Sequence, residues 1–179
     1  MEDSDIIRLN REGEREQAFN MIMCRYSERL YWHIRRMVTY HDDADDCLQN
    51  TLIRVWNALE TFRGDSGLYT WLYRIATNEC ITFLKKQQIR NLFTGTEAAD
   101  NLLSDPYFDG TKAQASLQKA IASLPPKQRA VFNLRYFEEM PYEEISEITG
   151  TSVGALKASF HHASEKVRKA VKEEIDIQF

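Results

Sequence analysis

From Glu14 to Gln88 apolar residues recur at intervals of three and four, and this spacing is the strongest constraint on the fold. Side chains three and four apart share one helical face, whereas a half-buried strand would alternate every second residue. Phe19, Ile22, Met23, Tyr26, Leu30, Ile34 and Met37 form a first stripe. Ala44, Cys47, Leu48, Thr51, Leu52, Val55 and Leu59 form a second, and Trp71, Leu72, Ile75, Ala76, Phe83 and Leu84 a third. The break from Thr39 to Asp43 offers Asp42 or Asp43 as a helix cap. A second break, Phe62-Arg63-Gly64-Asp65-Ser66-Gly67, reads as a loop whose two glycines allow unusual backbone angles. With 7 Gly and 4 Pro in 179 residues and few alternating β-branched runs, an all-α fold is expected.

Past Gln88 the periodicity dissolves. Residues 91–112 contain Gly95, Pro106 and Gly110 with four acids, the composition of a flexible acidic linker. Fully extended, such a segment reaches ~70 Å at about 3.3 Å per residue. The chain therefore divides into 1–90, the linker 91–112, and 113–179: two small helical domains joined by a flexible linker. In the second, Ala113, Leu117, Ala120, Ile121 and Leu124 make a short helix ended by Pro125-Pro126, and Pro126 suits the first turn of the next. Tyr142 to Ile148 is a short helix, Gly150 supplies the turn, and Thr151 or Ser152 caps a long helix burying Val153, Leu156, Phe160, Ala163, Val167 and Val171. Short helix, glycine turn and capped basic helix make a helix-turn-helix.

The formal net charge of −4 hides two basic patches. Arg63, Arg74, Lys85, Lys86 and Arg90 face only Asp65 and Glu79 within 61–90. Lys157, Lys166, Arg168, Lys169 and Lys172 face only Glu165 within 151–172. Local charge governs phosphate binding, so an acidic total does not exclude nucleic acid. Cys24, Cys47 and Cys80 are far apart and each falls in an apolar helical stretch, which predicts buried free thiols and no zinc site. His41-Asp42 and His161-His162 lack further ligands at metal spacing, and no phosphate loop of the Walker type occurs. No metal, no cofactor and no enzymatic activity are expected. No apolar run is long enough to span a bilayer, and the acidic N-terminus is unlike a signal peptide, so the expected location is cytoplasmic without membrane insertion.

Two surfaces carry the functional signal. Phe62, Tyr69, Trp71 and Tyr73 interleave with Arg63, Arg74, Lys85 and Lys86, a mixture of stacking faces and cations suited to single-stranded nucleic acid. Asp65, Ser66 and the amides of Gly64 and Gly67 could read the edge of an extruded base; packing in the core is the competing role for each aromatic. In the helix-turn-helix, Ser152, Lys157, Ser159, His161 and His162 lie on the exposed N-terminal turns that a recognition helix presents to the major groove.

These residues resemble those of a known family. Asp43-Ala44-Asp45-Asp46 with Gln49, Val55-Trp56, Phe62-Arg63-Gly64, Trp71-Leu72-Tyr73-Arg74-Ile75-Ala76 and Asn78 are similar to the second conserved region of bacterial sigma factors, in the extracytoplasmic-function group of the sigma-70 family. Leu124-Pro125-Pro126-Lys127-Gln128-Arg129, Phe132, Leu134 and the helix-turn-helix resemble the fourth region. The resemblance implies a non-catalytic subunit that directs core RNA polymerase to promoters. It places Asp45, Asp46, Gln49, Asn50, Arg54 and Trp56 against the clamp helices of the largest polymerase subunit. It assigns Phe62, Arg63, Gly64, Asp65, Ser66, Tyr69 and Thr70 to capture of a flipped base of the minus-ten element, with Arg74, Asn78, Lys85 and Lys86 along the same melted strand. It assigns Thr151, Ser152, Lys157, Ala158, Ser159, His161 and His162 to the minus-thirty-five duplex, with the fourth region docked on the flap of the second-largest subunit. The linker would lie in the polymerase cleft, and an anti-sigma factor is an expected partner. Ser159 and His162 stand where the family often has arginine, so no minus-thirty-five sequence is carried over. The alternative is a helix-turn-helix regulator that binds duplex DNA without polymerase.

Overall fold

The computed structural model describes residues 2–94 and 102–176, and among them every regular element is helical. Helix α1 (Asp3–Arg11) opens on a capping box in which Glu2 and Asp5 each satisfy the other's backbone N–H. Helices α2 (Arg15–Val38), α3 (His41–Leu59) and α4 (Leu68–Thr94) follow. Their buried residues step along one face each: Ile22, Tyr26, Leu30, Ile34 and Met37 on α2; Ala44, Cys47, Thr51, Val55 and Leu59 on α3; Leu68, Leu72, Ala76, Cys80 and Leu84 on α4. At roughly 1.5–3 kcal/mol per fully buried large aliphatic side chain, these stripes are what holds the three helices together.

The caps differ from expectation in one place. Tyr40 is the cap residue of α3, and Asp42 and Asp43 sit in its first turn, where their charge complements the helix dipole without capping the backbone. The preceding reversal is sharp. Thr39 adopts φ 80° and ψ −49°, and the N–H of Tyr40 donates to the carbonyl of Val38 at 3.1 Å, closing a γ-turn. Cys47 and Cys80 are buried as free thiols, but Cys24 is exposed, on the solvent side of α2.

In the second unit, α5 (Lys112–Ala122) starts with a capping box between Thr111 and Gln114, and α6 (Pro126–Tyr136) begins on Pro126. Helix α7 (Tyr142–Thr149) ends at Gly150, whose φ of 67° and ψ of 19° give the left-handed turn. Helix α8 (Val153–Asp176) is capped by Ser152, whose hydroxyl accepts from the N–H of Ala155 at 3.3 Å.

The two units are packed on each other. Ala130, Val131, Leu134, Met140, Ile145 and Ile148 of the second unit belong to the same buried cluster as the α2 and α4 stripes. Arg129, 5% exposed, donates from Nη1 to the carbonyl of Met37 at 2.6 Å and from Nη2 to the carbonyls of Leu124 at 3.2 Å and Ala122. Gln118 donates to the carbonyl of Arg36. Residues 102–110 lie against the first unit: Leu102 is buried, the Arg35–Asp105 ion pair closes at 2.8 Å, and Tyr107 stacks on His41 with centroids 3.9 Å apart. Residues 95–101, the middle of the expected linker, fall outside the described residues.

Candidate nucleic-acid interface and acidic helix face

Helix α3 turns its core stripe inward, and the opposite face presents Asp46, Gln49, Asn50, Ile53 and Arg54 to solvent. Asp45 is half-buried, with its carboxylate 3.4 Å from Nε2 of His41. Arg54 pairs with Glu79 of α4 at 2.7 Å, and its own side chain remains 63% exposed. Trp56 is more enclosed than the rest. Phe19 meets it edge-on, Arg15 lies over its ring at 4.2 Å, and the same guanidinium donates to the Trp56 carbonyl. The acidic face is therefore a polar strip with one exposed isoleucine at its centre, bounded by an aromatic already engaged within the fold.

The loop after α3 is held from behind by α1. Asn10 donates its amide N–H to the carbonyls of Leu59 at 2.8 Å and Phe62 at 3.4 Å, and Arg11 donates to the carbonyl of Arg63 at 3.0 Å. These contacts bridge some fifty residues and are not visible in any local pattern. Gly64 takes φ 82°, a left-handed value that favours glycine, and Ile7 and Arg11 approach the place of its missing Cβ. Arg63 and Asp65 point outward, with Ser66 half-buried. Phe62 and Thr70 do not face solvent: Phe62 packs on Trp71 with centroids 4.5 Å apart, and both Phe62 and Thr70 are buried. In this arrangement they support the loop from within.

Along α4, Arg74, Asn78 and Lys85 are separated by four and seven residues and so share one face, with Lys86 beside it. Asn78, Lys85 and Lys86 are exposed and Arg74 is half-buried. The N-terminal turns of α4 are different. Tyr73 is fully buried and Tyr69 half-buried, their rings 4.4 Å apart, and the second unit covers them. Glu138, just past α6, accepts from the Tyr73 hydroxyl at 2.9 Å and the Tyr69 hydroxyl at 3.5 Å, and pairs with Arg36 at 3.1 Å. Burial raises the pKa of both tyrosines, and for Tyr73 the neighbouring Glu138 charge adds to it, so both remain neutral donors.

The face of α8 expected to read duplex DNA is open. Ser152, Lys157, Ala158, His161 and His162 are exposed, and Thr151 and Ser159 half-buried. Lys157 Nζ lies 5.8 Å from the centre of the Tyr142 ring. The His161 and His162 rings are 5.8 Å apart, and no group of three or more His, Cys, Asp or Glu side chains suited to a metal occurs among the described residues. No described helix is long and apolar enough to cross a membrane.

Comparison with known proteins follows the same division. Residues 22–90 match the family model for Sigma-70 region 2, and residues 114–167 that for Sigma-70, region 4. The chain is 31% identical over 168 residues to the ECF RNA polymerase sigma-E factor of Escherichia coli (strain K12), covering 87% of each protein. It is 30% identical over 170 residues to the ECF RNA polymerase sigma factor SigW of Bacillus subtilis (strain 168), covering 88% of this chain and 91% of that one. Among solved structures, the sigma factor RpoE in complex with the anti-sigma factor NepR from Bartonella quintana superposes with a TM-score of 0.71 at 23% identity, over 86% of this chain and 96% of the other. CnrH in complex with the cytosolic domain of CnrY gives 0.70 at 23% identity, over 96% and 97%. These two structures share the fold.

Proposed function

Since the chain belongs to the sigma-70 family, in its extracytoplasmic-function group, we propose that it joins core RNA polymerase, selects promoters and captures the melted non-template strand. The observation that carries this reading is the coexistence of three separate polar surfaces on one helical chain: the α3 face, the glycine loop with α4, and the capped α8. A duplex-binding regulator would need only the third.

Each surface has a division of labour that follows from its chemistry. The α3 strip offers Asp46, Gln49, Asn50, Ile53 and Arg54 to the clamp helices, an acidic and polar face with one apolar anchor. The loop supplies Asp65 and Ser66 as hydrogen-bonding groups and Arg63 as a cation, on a backbone fixed by Asn10 and Arg11. Extruding a base costs a few kcal/mol. Stacking recovers ~1–3 kcal/mol per base, and a preformed loop recovers more because its ordering cost is already met. Asn78, Lys85 and Lys86 then follow the strand, and α8 holds the duplex upstream through Ser152, Lys157 and the two histidines. The fourth-region unit docks on the flap. The chain supplies no chemistry of its own and works in the cytoplasm, where polymerase is. An anti-sigma factor clasping both units is the matching regulatory partner.

The interface assignment is tested by Asp45→Lys with Asp46→Lys. Capture of bacterial core polymerase by the full chain is expected to fall at least about tenfold, equivalent to about 1.4 kcal/mol, with the far-ultraviolet circular dichroism unchanged. Undiminished capture would remove α3 from the polymerase interface.

A further inference from the structure

Glu138 is a carboxylate only 10% exposed, held by one guanidinium and two phenols from the other unit. Its partners Arg36, Tyr69 and Tyr73 lie on α2 and on the α4 turns beside the strand loop. A cation flanked by neutral hydroxyl donors and two tilted rings suits a phosphodiester with an adjacent base as well as it suits a carboxylate. The Arg36 guanidinium also lies over the Phe137 ring at 4.6 Å, so the same turn that delivers Glu138 covers Arg36 with an aromatic. Behind this turn the interface is apolar, built on Val131, Leu134, Met140 and Ile145, which favours a docked state in the free chain. The α3 face, in contrast, stays exposed.

We propose that Glu138 is an intramolecular latch: it occupies a strand-binding cradle formed by Arg36, Tyr69 and Tyr73 and keeps that cradle closed until polymerase docks on the open α3 face. The inference rests on the sigma reading for the identity of the strand and of the docking partner. The closed state lowers strand affinity by the fraction of molecules that are open, so releasing the latch raises apparent affinity by the same factor. Docking and opening then occur in that order, because the two surfaces differ in accessibility.

The test uses the full chain as wild type, Glu138→Gln, Glu138→Lys and Glu139→Lys. The last makes the same charge change at the neighbouring exposed residue, outside the cradle. Small-angle scattering gives the radius of gyration, and fluorescence anisotropy gives the affinity for a labelled pool of random 20-nucleotide single strands. Glu138→Lys is expected to expand the chain and to tighten single-strand binding about tenfold. Glu138→Gln should do the same to a smaller degree, and Glu139→Lys should do neither. Core polymerase capture should tighten in Glu138→Lys and, to a smaller degree, in Glu138→Gln, and not in Glu139→Lys, because a partner whose docking opens the latch binds the open form more tightly. An unchanged radius of gyration in Glu138→Lys overturns the latch. So does expansion without tighter binding, or an equal gain in Glu139→Lys. If no form captures polymerase, the sigma reading fails, and the radius of gyration still decides whether Glu138 holds the units together.

Discussion

Two faces of the first unit, a polar one on α3 and an aromatic one at the start of α4, could each bind a partner, yet the structure treats them oppositely. Asp46, Gln49, Asn50, Ile53 and Arg54 stand in solvent, and Tyr69 and Tyr73 are covered by the second unit. The difference lies in what each face can offer a neighbour. The α3 strip carries acids whose desolvation would need a cation from the second unit, and the turn of the second unit that reaches α2 and α4 carries the acid Glu138. The α4 turns carry phenols beside Arg36, which that carboxylate satisfies. A chain with one acidic polar face and one face of phenols beside a cation can thus fold its own acidic turn onto the second and leave the first free.

The largest expected effect comes from cutting the contact that joins the two faces' scaffolds. Arg129→Met removes donors to the carbonyls of Met37, Ala122 and Leu124 and leaves them buried. A loss of about 3 kcal/mol is expected, seen by calorimetry as a fall in Tm of roughly 6–12 °C at ~2–4 °C per kcal/mol. Little change would mean that the two units are held by apolar packing alone.

Asp105→Ala comes next, because it leaves the Arg35 guanidinium buried without its ion partner. Burial by itself works against ionisation of Asp105, but the Tyr107 backbone N–H and the Arg35 charge outweigh it and set its carboxyl below the ordinary range. Breaking a buried pair costs about 3–5 kcal/mol when the remaining charge stays trapped. Here residues 102–110 can lift off, which limits the loss to about 2 kcal/mol. Hydrogen exchange should show protection lost in 102–110 and kept in α2 to α4. Loss spread evenly over both would contradict a strap that docks as a separate layer.

A pH effect of about 1 kcal/mol is expected from His33. Burial, aided by the Arg36 charge, lowers its pKa to about 3, against 6.5 in the unfolded chain. The unfolded state therefore binds the proton first as pH falls. Stability is complete above about pH 6.5 and is lost below it at up to ~1.4 kcal/mol per pH unit, until the folded pKa is reached. Denaturant melts at pH 7 and 5.5 should differ more for wild type than for His33→Gln, and equal differences would exclude His33 as the source. The smallest effect is at Asn10→Ala, about 1 kcal/mol. Its signature is weaker single-strand binding from a loosened loop with α3 and polymerase capture unaffected.

The helices themselves were legible because burial on one side repeats every three or four residues. The Ala44–Leu59 stripe, the Pro126 start and the Gly150 turn stand where periodicity and turn chemistry put them, and of the expected α8 stripe Leu156, Ala163 and Val167 are buried while Val153, Phe160 and Val171 are half-buried. What could not be read is what the second unit adds. Tyr73 falls outside the α4 stripe: its ring packs beside His33 and Tyr69 of its own unit, and Glu138, 65 residues away, closes over its hydroxyl. Asn10 looks like a surface residue until Leu59 and Phe62 are brought beside it. Asp105 sits in a stretch whose composition is that of a linker, yet it closes on the buried Arg35. Phe62 and Thr70 carried the opposite ambiguity: an aromatic and a hydroxyl in a polar loop suit a ligand, and here both are turned inward. Local pattern reports which face is buried and is silent on which distant segment does the burying.

Transcription reconstituted from purified chain, bacterial core polymerase and sheared genomic DNA of the host, with start sites mapped, tests the central claim most directly. Discrete start sites that appear only with the chain present, sharing two upstream elements, are predicted, and Asp45→Lys with Asp46→Lys should abolish them. Start sites identical to those of core polymerase alone would contradict it.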